Sequence, residues 1–293
     1  MKILKTPLRY PGGKSRAAAM LYKWFPSGIT EYREPFLGGA SMALYFSQLH
    51  PDVPIFVNDL YDHLYNFWYH LQRMGDELSE ECYKVKFDNP EPASAKALFK
   101  QAKDEIKNVC GLRQATLFWV LNKCSYSGLT ENSSFSEAAS IQNFTLRGAE
   151  KLKKYPPIIK NWTITNNDYA TLMSEAWTAG SHPELSINKG KAFVFLDPPY
   201  KIKSYLYGSN AELHKGFDHT RFRDVCQSCT QPWMVTYNVD KGIEEAFANY
   251  RQQYFDITYG MQHRANNKKQ ELLITNYDVA PVNPLEAILY GRV

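Results

Sequence analysis

The tetrapeptide Asp197-Pro198-Pro199-Tyr200 brings a carboxylate, a rigid turn and an aromatic ring together within four residues. It follows the apolar run 192–196, and open α/β sheets bind ligands at the carboxyl ends of their strands. The Asp197 carboxylate and the Pro198 carbonyl, held by two prolines, can each accept one N–H of a planar exocyclic amine such as that of adenine. These contacts would make the amine nucleophilic, and Tyr200 could stack on the base. The alternative is a strand that ends in a Pro-Pro turn with a solvated aspartate.

Two segments earlier in the chain have the residue types of a nucleoside-binding site. The segment 34–39, Glu-Pro-Phe-Leu-Gly-Gly, leads into a helical pattern, and its glycines would let a ligand approach the backbone closely. It lacks the G-x-G-x-x-G fingerprint, which argues against NAD or FAD. Asp59 ends the predicted strand 55–58, where an acidic residue can accept both hydroxyls of a ribose. A plain strand-to-helix turn and a helix N-cap are the respective alternatives.

Two further segments offer polar groups near predicted element ends. Asp168 follows the predicted strand 162–165 and could accept from an adenine amine, with Tyr169 lining the pocket. An N-cap role for Asp168 is the alternative. The segment Leu8–Arg16, with two glycines, one lysine and two arginines, could clamp an anionic group, although it lacks the G-x-x-x-x-G-K-[ST] pattern of a phosphate-binding loop. A helix start after a Pro-Gly turn is the alternative there.

Continuous apolar runs bounded by turn residues predict four buried strands, at Ile55–Asn58, Trp162–Thr165, Ala192–Asp197 and Trp233–Tyr237. Helical patterns alternate with them, at Ala40–Leu49, Asp62–Met74, Tyr169–Ala179 and Thr220–Cys229. This alternation predicts a doubly wound, mostly parallel α/β sheet. Near the end of the chain, Tyr254–Gly260 and Glu271–Tyr277 predict two strands joined by a polar loop, which would add an antiparallel edge.

Residues 72–160 interrupt this alternation. They contain helical patterns at Ala95–Asn108 and Leu112–Leu121, followed by a polar loop, 122–136, and no convincing strand. We therefore predict a mostly helical insertion, 72–160, in an α/β core formed by residues 1–71 and 161–293.

Composition narrows the function classes. Of 293 residues, 34 are Lys or Arg and 30 are Asp or Glu, so the net charge is +4, which permits a polyanionic partner without requiring one. No apolar run reaches the roughly 18 residues of a membrane helix, and no export signal is present, so we expect a cytoplasmic protein without a membrane partner. The only Cys-x-x-Cys, Cys226 to Cys229, lacks further zinc ligands nearby, and we expect no metal.

Taken in order, the segments at 10–14, 34–39, 58–59 and 197–200 resemble the DNA adenine-N6 methyltransferases of the Dam type, the D12 class. The segment 271–277 is similar to that family's last core strand. The resemblance implies the S-adenosylmethionine-dependent methyltransferase fold with its last strand antiparallel, S-adenosylmethionine as methyl donor and S-adenosylhomocysteine as product. It implies Asp197, Pro198, Pro199 and Tyr200 as catalytic residues. The implied cofactor contacts are Tyr10, Lys14, Pro35, Phe36, Gly38, Gly39, Asp59, Asp168, Tyr169 and Asp197.

The resemblance also implies that the target recognition region is the insertion 72–160. Family members that read GATC carry an Asn-Gly-Leu-x-Arg run, where this chain has Ser-Gly-Leu-Thr-Glu at 127–131. Glu131 could accept from a cytosine amine but cannot donate to guanine, so a site other than GATC is expected. Tyr126 could wedge into the space that a flipped base leaves. The candidate DNA contacts are Lys123, Ser125, Tyr126, Ser127, Glu131, Asn132 and Ser133, with Arg264 and Lys268 in the polar loop between the last two predicted strands. A solvated loop is the alternative.

The sequence therefore predicts a sequence-specific DNA adenine-N6 methyltransferase that acts on double-stranded DNA. The target adenine would leave the base stack and enter beside Tyr200. The enzyme would be bacterial, or phage-encoded and active in a bacterial host, and a restriction endonuclease is a possible partner. Cytosine-N4 methylation is the nearest alternative, followed by methylation of RNA or of a protein glutamine amide. A non-catalytic DNA-binding module of the same fold is the alternative from another class.

Overall fold

The computed structural model describes residues 3–174, 191–200, 216–258 and 268–278. Within these residues seven strands form one sheet. In chain order they are β1 Ile29–Glu34, β2 Ile55–Asn58, β3 Trp162–Thr165, β4 Lys191–Leu196, β5 Trp233–Asn238, β6 Arg251–Thr258 and β7 Lys268–Thr275.

The sheet is mostly parallel and doubly wound, as the sequence predicts. Its strand order is β3-β2-β1-β4-β5-β7-β6, and each neighbouring pair from β3 to β5 is parallel. The last strand, β7, is antiparallel to both β5 and β6, between which it lies. The chain reverses its order beside β1 and β4, so the ligand crevice is expected at their carboxyl ends.

Twelve α-helices are present in the same residues. Those near the sheet are α1 Ala18–Tyr22, α2 Ser41–Leu49, α3 Asp62–Arg73, α10 Tyr169–Met173, α11 His219–Ser228 and α12 Lys241–Ala246. Those between α3 and β3 are α4 Gly75–Phe87, α5 Pro92–Glu105, α6 Gly111–Cys124, α7 Glu137–Asn143, α8 Leu146–Glu150 and α9 Pro156–Ile159. No helix in the described part of the chain is long and apolar enough to cross a membrane.

Strand β1 was not among the strands predicted from apolar runs, because its sequence, Ile-Thr-Glu-Tyr-Arg-Glu, is rich in charges. Its last four residues are nevertheless buried. The structure satisfies them locally, since Arg33 Nε donates to Glu31 at 2.5 Å and Tyr32 donates to Glu34 at 2.7 Å. Buried charges of this kind are tolerated when they are paired and hydrogen bonded.

Residues 72–160 contain α4–α9 and no strand of the sheet. Helix α6 lies at their centre, and every residue from Ala115 to Cys124 is buried. The predicted helix Leu112–Leu121 is thus longer than expected, and Lys123 lies on it rather than in a loop. Helix α6 also packs against α3, where the rings of Phe67 and Phe118 are 5.6 Å apart. The helical region therefore shares one hydrophobic core with the sheet.

Candidate active site

A cavity of about 440 Å³ lies at the carboxyl ends of β1, β2 and β4. Its walls include every residue that the sequence predicts as catalytic or cofactor-binding. These residues are Tyr10, Lys14, Pro35, Phe36, Gly38, Gly39, Asp59, Asp168, Tyr169, Asp197, Pro198, Pro199 and Tyr200. They come from five separate segments. Four of these follow β1, β2, β3 and β4, whose carboxyl ends meet at one edge of the sheet, whereas Tyr10 and Lys14 precede α1.

Asp197 is held in one orientation by charged and neutral donors. Lys14 is only 2% exposed, and its Nζ lies 2.8 and 3.0 Å from the two carboxylate oxygens of Asp197. Thr236, on β5, donates to Asp197 Oδ1 at 2.8 Å. Lys14 also donates to the Tyr200 hydroxyl at 2.6 Å, so the first and last residues of the tetrapeptide share one lysine.

Glu271, on β7, completes this cluster and was not predicted as a site residue. The Tyr200 hydroxyl donates to Glu271 Oε2 at 3.0 Å, and Lys14 Nζ lies 3.7 Å from the same oxygen. Burial raises the pKa of Glu271 to about 7; nearby Asp197 also raises it, and Lys14 and Tyr200 lower it. The other carboxylate oxygen is buried and has no hydrogen-bond partner within the described ranges. The only signal in the sequence was one acidic residue at the start of an apolar strand.

The glycine turn after β1 is required by packing within the protein itself. Gly38 has φ +48°, and a Cβ there would lie 2.7 Å from a ring carbon of Tyr10. A Cβ at Gly39 would lie 2.8 Å from Tyr10 Cβ. Tyr10 therefore covers the turn, and only glycine allows this approach without strain.

Asp59 follows β2 and is fixed by two backbone amides. Gly38 N donates to its Oδ2 at 2.8 Å, and Tyr61 N donates to its Oδ1 at 3.0 Å. Burial raises the pKa of Asp59 to about 6, and the two amide hydrogen bonds oppose that effect. Each oxygen retains acceptor capacity toward the cavity. Neighbouring Glu34 is buried, and burial raises the pKa of Glu34 to about 8.

An aromatic and charged wall closes another side of the cavity. The rings of Phe36 and Tyr169 stack with centroids 5.1 Å apart, and the Arg221 guanidinium lies 5.0 Å from the Tyr169 centroid. Arg221 also makes a bidentate ion pair with Asp168 at 2.8 and 2.9 Å. Asp168 caps α10 as well, since Ala170 N donates to it at 3.0 Å. The N-cap interpretation of Asp168 is therefore confirmed, and its contact with an adenine amine stays a prediction; Arg221 was not predicted.

The predicted DNA-contacting residues differ in their exposure. Tyr126 is 63% exposed in the segment 125–133, which we call the recognition loop after its predicted role. Ser127, Asn132 and Ser133 are half-buried, and Ser133 donates to the Tyr126 carbonyl at 3.1 Å. Ser125 is buried and accepts from the backbone of the same loop.

Two charged residues of this set point inward, contrary to the expectation of exposed base contacts. Lys123 is 8% exposed and donates to the Pro7 carbonyl, and burial lowers the pKa of Lys123 to about 8. Glu131 is also 8% exposed and accepts from Tyr61 and His63, so its carboxylate does not face solvent. Arg264 lies outside the described residues, and Lys268 is the first residue of β7.

The comparisons with known proteins agree with this arrangement. The sequence model of the D12 class N6 adenine-specific DNA methyltransferases matches residues 10–266. The chain is 24% identical over 213 residues to the Type II methyltransferase M.MjaIII of Methanocaldococcus jannaschii, covering 68% of this chain and 70% of that protein. It is 19% identical over 283 residues to the Type II methyltransferase M1.LlaDCHI of Lactococcus lactis subsp. cremoris, covering 92% and 94%. The chain belongs to the D12 class of N6 adenine-specific DNA methyltransferases, which use S-adenosylmethionine.

Proposed function

We propose that the cavity binds S-adenosylmethionine and that Asp197 presents the exocyclic amine of one adenine, within a specific duplex site, for methylation. The observation that carries this proposal is the fixed orientation of Asp197 in the cavity wall, between Lys14 and Thr236. A preorganised acceptor of this kind needs no reorganisation when charge develops on the amine nitrogen.

The cavity fits the proposed cofactor in size and chemistry. Its volume of about 440 Å³ falls in the usual range for small-molecule sites. Carboxylates outnumber cations along its wall even when Glu34, whose pKa is raised to about 8 by burial, is left out. The remaining carboxylates are Asp59, Asp168, Asp197 and Asp218, and the cations are Lys14 and Arg221. Such a wall suits a ligand with a sulfonium and an ammonium group. The stacked rings of Phe36 and Tyr169 suit an adenine. Asp59, which is fixed by two backbone amides, suits a ribose diol.

We assign the cofactor contacts as follows. Asp59 accepts from the ribose hydroxyls, and Asp168 with Tyr169 lines the adenine end. The glycine turn at Gly38 and Gly39, with Pro35, Phe36, Tyr10 and Lys14, forms the floor. When bound, S-adenosylmethionine supplies an electrophilic methyl group.

The catalytic roles follow from the geometry of the tetrapeptide. Asp197 and the Pro198 carbonyl each accept one N–H of the adenine amine and favour its tetrahedral form, while Pro199 stiffens the turn. Lys14 keeps the Asp197 carboxylate in place through two short contacts. Tyr200 is restrained by Lys14 and Glu271 and lies beside the incoming base. Asp197 need not be a strong base, because the amine loses its proton readily after methylation.

The DNA contacts are assigned to the insertion 72–160, which we propose as the target recognition domain. The adenine must leave the duplex to reach Asp197, because its amine is base paired within the stack. Tyr126 is exposed and is the best candidate to fill the vacated space. Ser127, Asn132 and Ser133 flank it. The names of the two relatives support a restriction endonuclease as a partner of this methyltransferase.

Modification mapping tests the proposal directly. The protein is expressed in a strain without adenine methyltransferases, and genomic DNA is sequenced with single-molecule detection of modified bases. One motif with N6-methyladenine is expected, and none is expected for Asp197→Asn. Cytosine-N4 methylation at a motif would replace the adenine assignment. Unmodified DNA from a protein that binds S-adenosylmethionine would favour an RNA or protein substrate, and failure to bind it would favour a non-catalytic module.

A further inference from the structure

Glu131 connects the recognition loop to the wall of the cavity. Its Oε1 accepts from the Tyr61 hydroxyl and from His63 Nδ1, which lies 3.2 Å away. Burial on its own would raise the pKa of Glu131, but the hydrogen bonds from His63 and Tyr61 lower it to about 2. Glu131 is therefore an anion whose stability depends on these two partners.

Tyr61 extends the connection to the proposed cofactor site. The same residue that donates its hydroxyl to Glu131 donates its backbone N–H to Asp59 Oδ1 at 3.0 Å. Tyr61 also lines the cavity. A shift of Asp59 or of the segment 59–61 would therefore move the Tyr61 side chain and, with it, the hydrogen bond to Glu131.

The recognition loop has a conformation that needs such an anchor. Ser127, Gly128 and Thr130 all have positive φ, at +54°, +75° and +53°. Left-handed conformations are strained for non-glycine residues, here Ser127 and Thr130. The start of the loop is fixed independently, because the Asn122 amide bonds both the N–H and the carbonyl of Arg9. Glu131 is thus an anchor near the other end of the loop, beside Lys103, which donates to the Ser133 carbonyl at 3.1 Å.

We propose that Glu131 is a positioning residue that couples cofactor binding to DNA binding through Tyr61, instead of reading a base. The inference rests on the proposed function, since it needs the cofactor in the cavity and DNA on the loop. Each ligand would stabilise the same arrangement of Asp59, Tyr61 and Glu131 and would therefore tighten the binding of the other. By linkage the two effects must be equal.

The test is a thermodynamic cycle. S-adenosylhomocysteine is titrated calorimetrically into the protein alone and into the protein saturated with a duplex that carries the mapped motif. The ratio of the two dissociation constants is the coupling factor. We expect about tenfold or more for the wild type, within the usual range for coupled sites. Changes in binary affinity cancel in this ratio, so a merely structural role of Glu131 would leave the ratio unchanged.

Two single variants, their double variant and one control decide the question. Glu131→Gln removes the charge, Tyr61→Phe removes one hydroxyl, and each is expected to reduce coupling to below about threefold, with no further loss in the double variant. Glu137→Gln, an exposed glutamate in the same insertion, is the matched control and should keep wild-type coupling. If Glu131→Gln does not fold, Tyr61→Phe decides alone.

Several outcomes overturn the inference. Wild-type coupling in both single variants would do so, as would a coupling factor of one in the wild type. Glu131→Gln should methylate the same motif in genomic mapping, and a changed motif would return Glu131 to base recognition. If the wild type binds both ligands without coupling, the inference fails and the proposed function stands. If it binds no S-adenosylhomocysteine, both fail.

Discussion

Replacement of Glu271 by glutamine should stabilise the protein at alkaline pH and leave it unchanged in acid. Glu271 is 1% exposed, and its pKa in the folded state is about 7, against an ordinary value of 4.5. The folded protein therefore holds a proton that the unfolded chain has lost. The stability that this proton provides is complete below pH 4.5 and is lost as the pH rises through 7.

The magnitude follows from the same two values. At roughly 1.4 kcal/mol per pH unit, the interval corresponds to about 3 kcal/mol. Glutamine resembles the protonated acid at every pH. Glu271→Gln should thus match the wild type at pH 4.5 and exceed it by up to about 3 kcal/mol at pH 8.5. The raised pKa values of Glu34 and Asp59 belong to both proteins and cancel in the difference.

Urea denaturation at the two pH values measures this difference. Glu245→Gln is the control, because Glu245 is exposed on α12, and it should change the free energy of unfolding by less than about 0.5 kcal/mol at either pH. A difference between Glu271→Gln and the wild type that does not change with pH would refute the reasoning. So would a less stable variant at pH 8.5.

Three more substitutions test the site. Gly38→Ala should destabilise the protein by about 2–3 kcal/mol and weaken cofactor binding in calorimetry, because its Cβ meets the Tyr10 ring; Gly28→Ala, at φ +72° with nothing within 4 Å, should lose only about 1 kcal/mol. Tyr126→Ala should keep the wild-type melting temperature yet reduce the 2-aminopurine signal of a flipped target base; an unchanged signal would contradict the wedge role. Asp197→Asn should slow transfer of a radiolabelled methyl group by about 10³-fold while S-adenosylhomocysteine still binds; near-normal transfer would exclude the proposed role of Asp197.

The fold could be predicted where local sequence and burial agree. The strands β2, β4 and β5 are apolar runs that are buried along almost their whole length, and a strand covered on both faces needs nothing else. The edge strand β3 is only half-buried, but its aromatic and β-branched residues sufficed to predict it. The charged strand β1 escaped this rule, because its burial depends on the pairing of Glu31 with Arg33 and of Tyr32 with Glu34. Such pairings become visible only when the geometry is known.

The residues of the candidate site could likewise be predicted where they follow an apolar strand. Asp59, Asp168 and Asp197 each follow a predicted strand, so topology alone brings them to one edge of the sheet. Glu271 could not be found this way, because it lies on the antiparallel strand β7, where its register opposite Asn238 decides that it reaches Tyr200. The inward direction of Glu131 was equally hidden, since its partners Tyr61 and His63 are 70 and 68 positions away along the chain.

The presence of a buried, destabilising carboxylate at position 271 has a catalytic explanation within the proposed function. As the adenine amine forms its fourth bond it gains positive charge, and a carboxylate in contact stabilises that state more than the planar amine. Lys14 weakens this effect by neutralising Asp197. An ionised Glu271 shares Lys14 and leaves the three-residue cluster with a net charge of −1, whereas a protonated Glu271 leaves it neutral. The turnover rate should therefore rise as the pH passes through about 7 in the wild type, and the part of that rise due to Glu271 should be absent from Glu271→Gln. The substitution that stabilises the fold would then slow the reaction, which is the trade-off expected where an active site retains a destabilising charge.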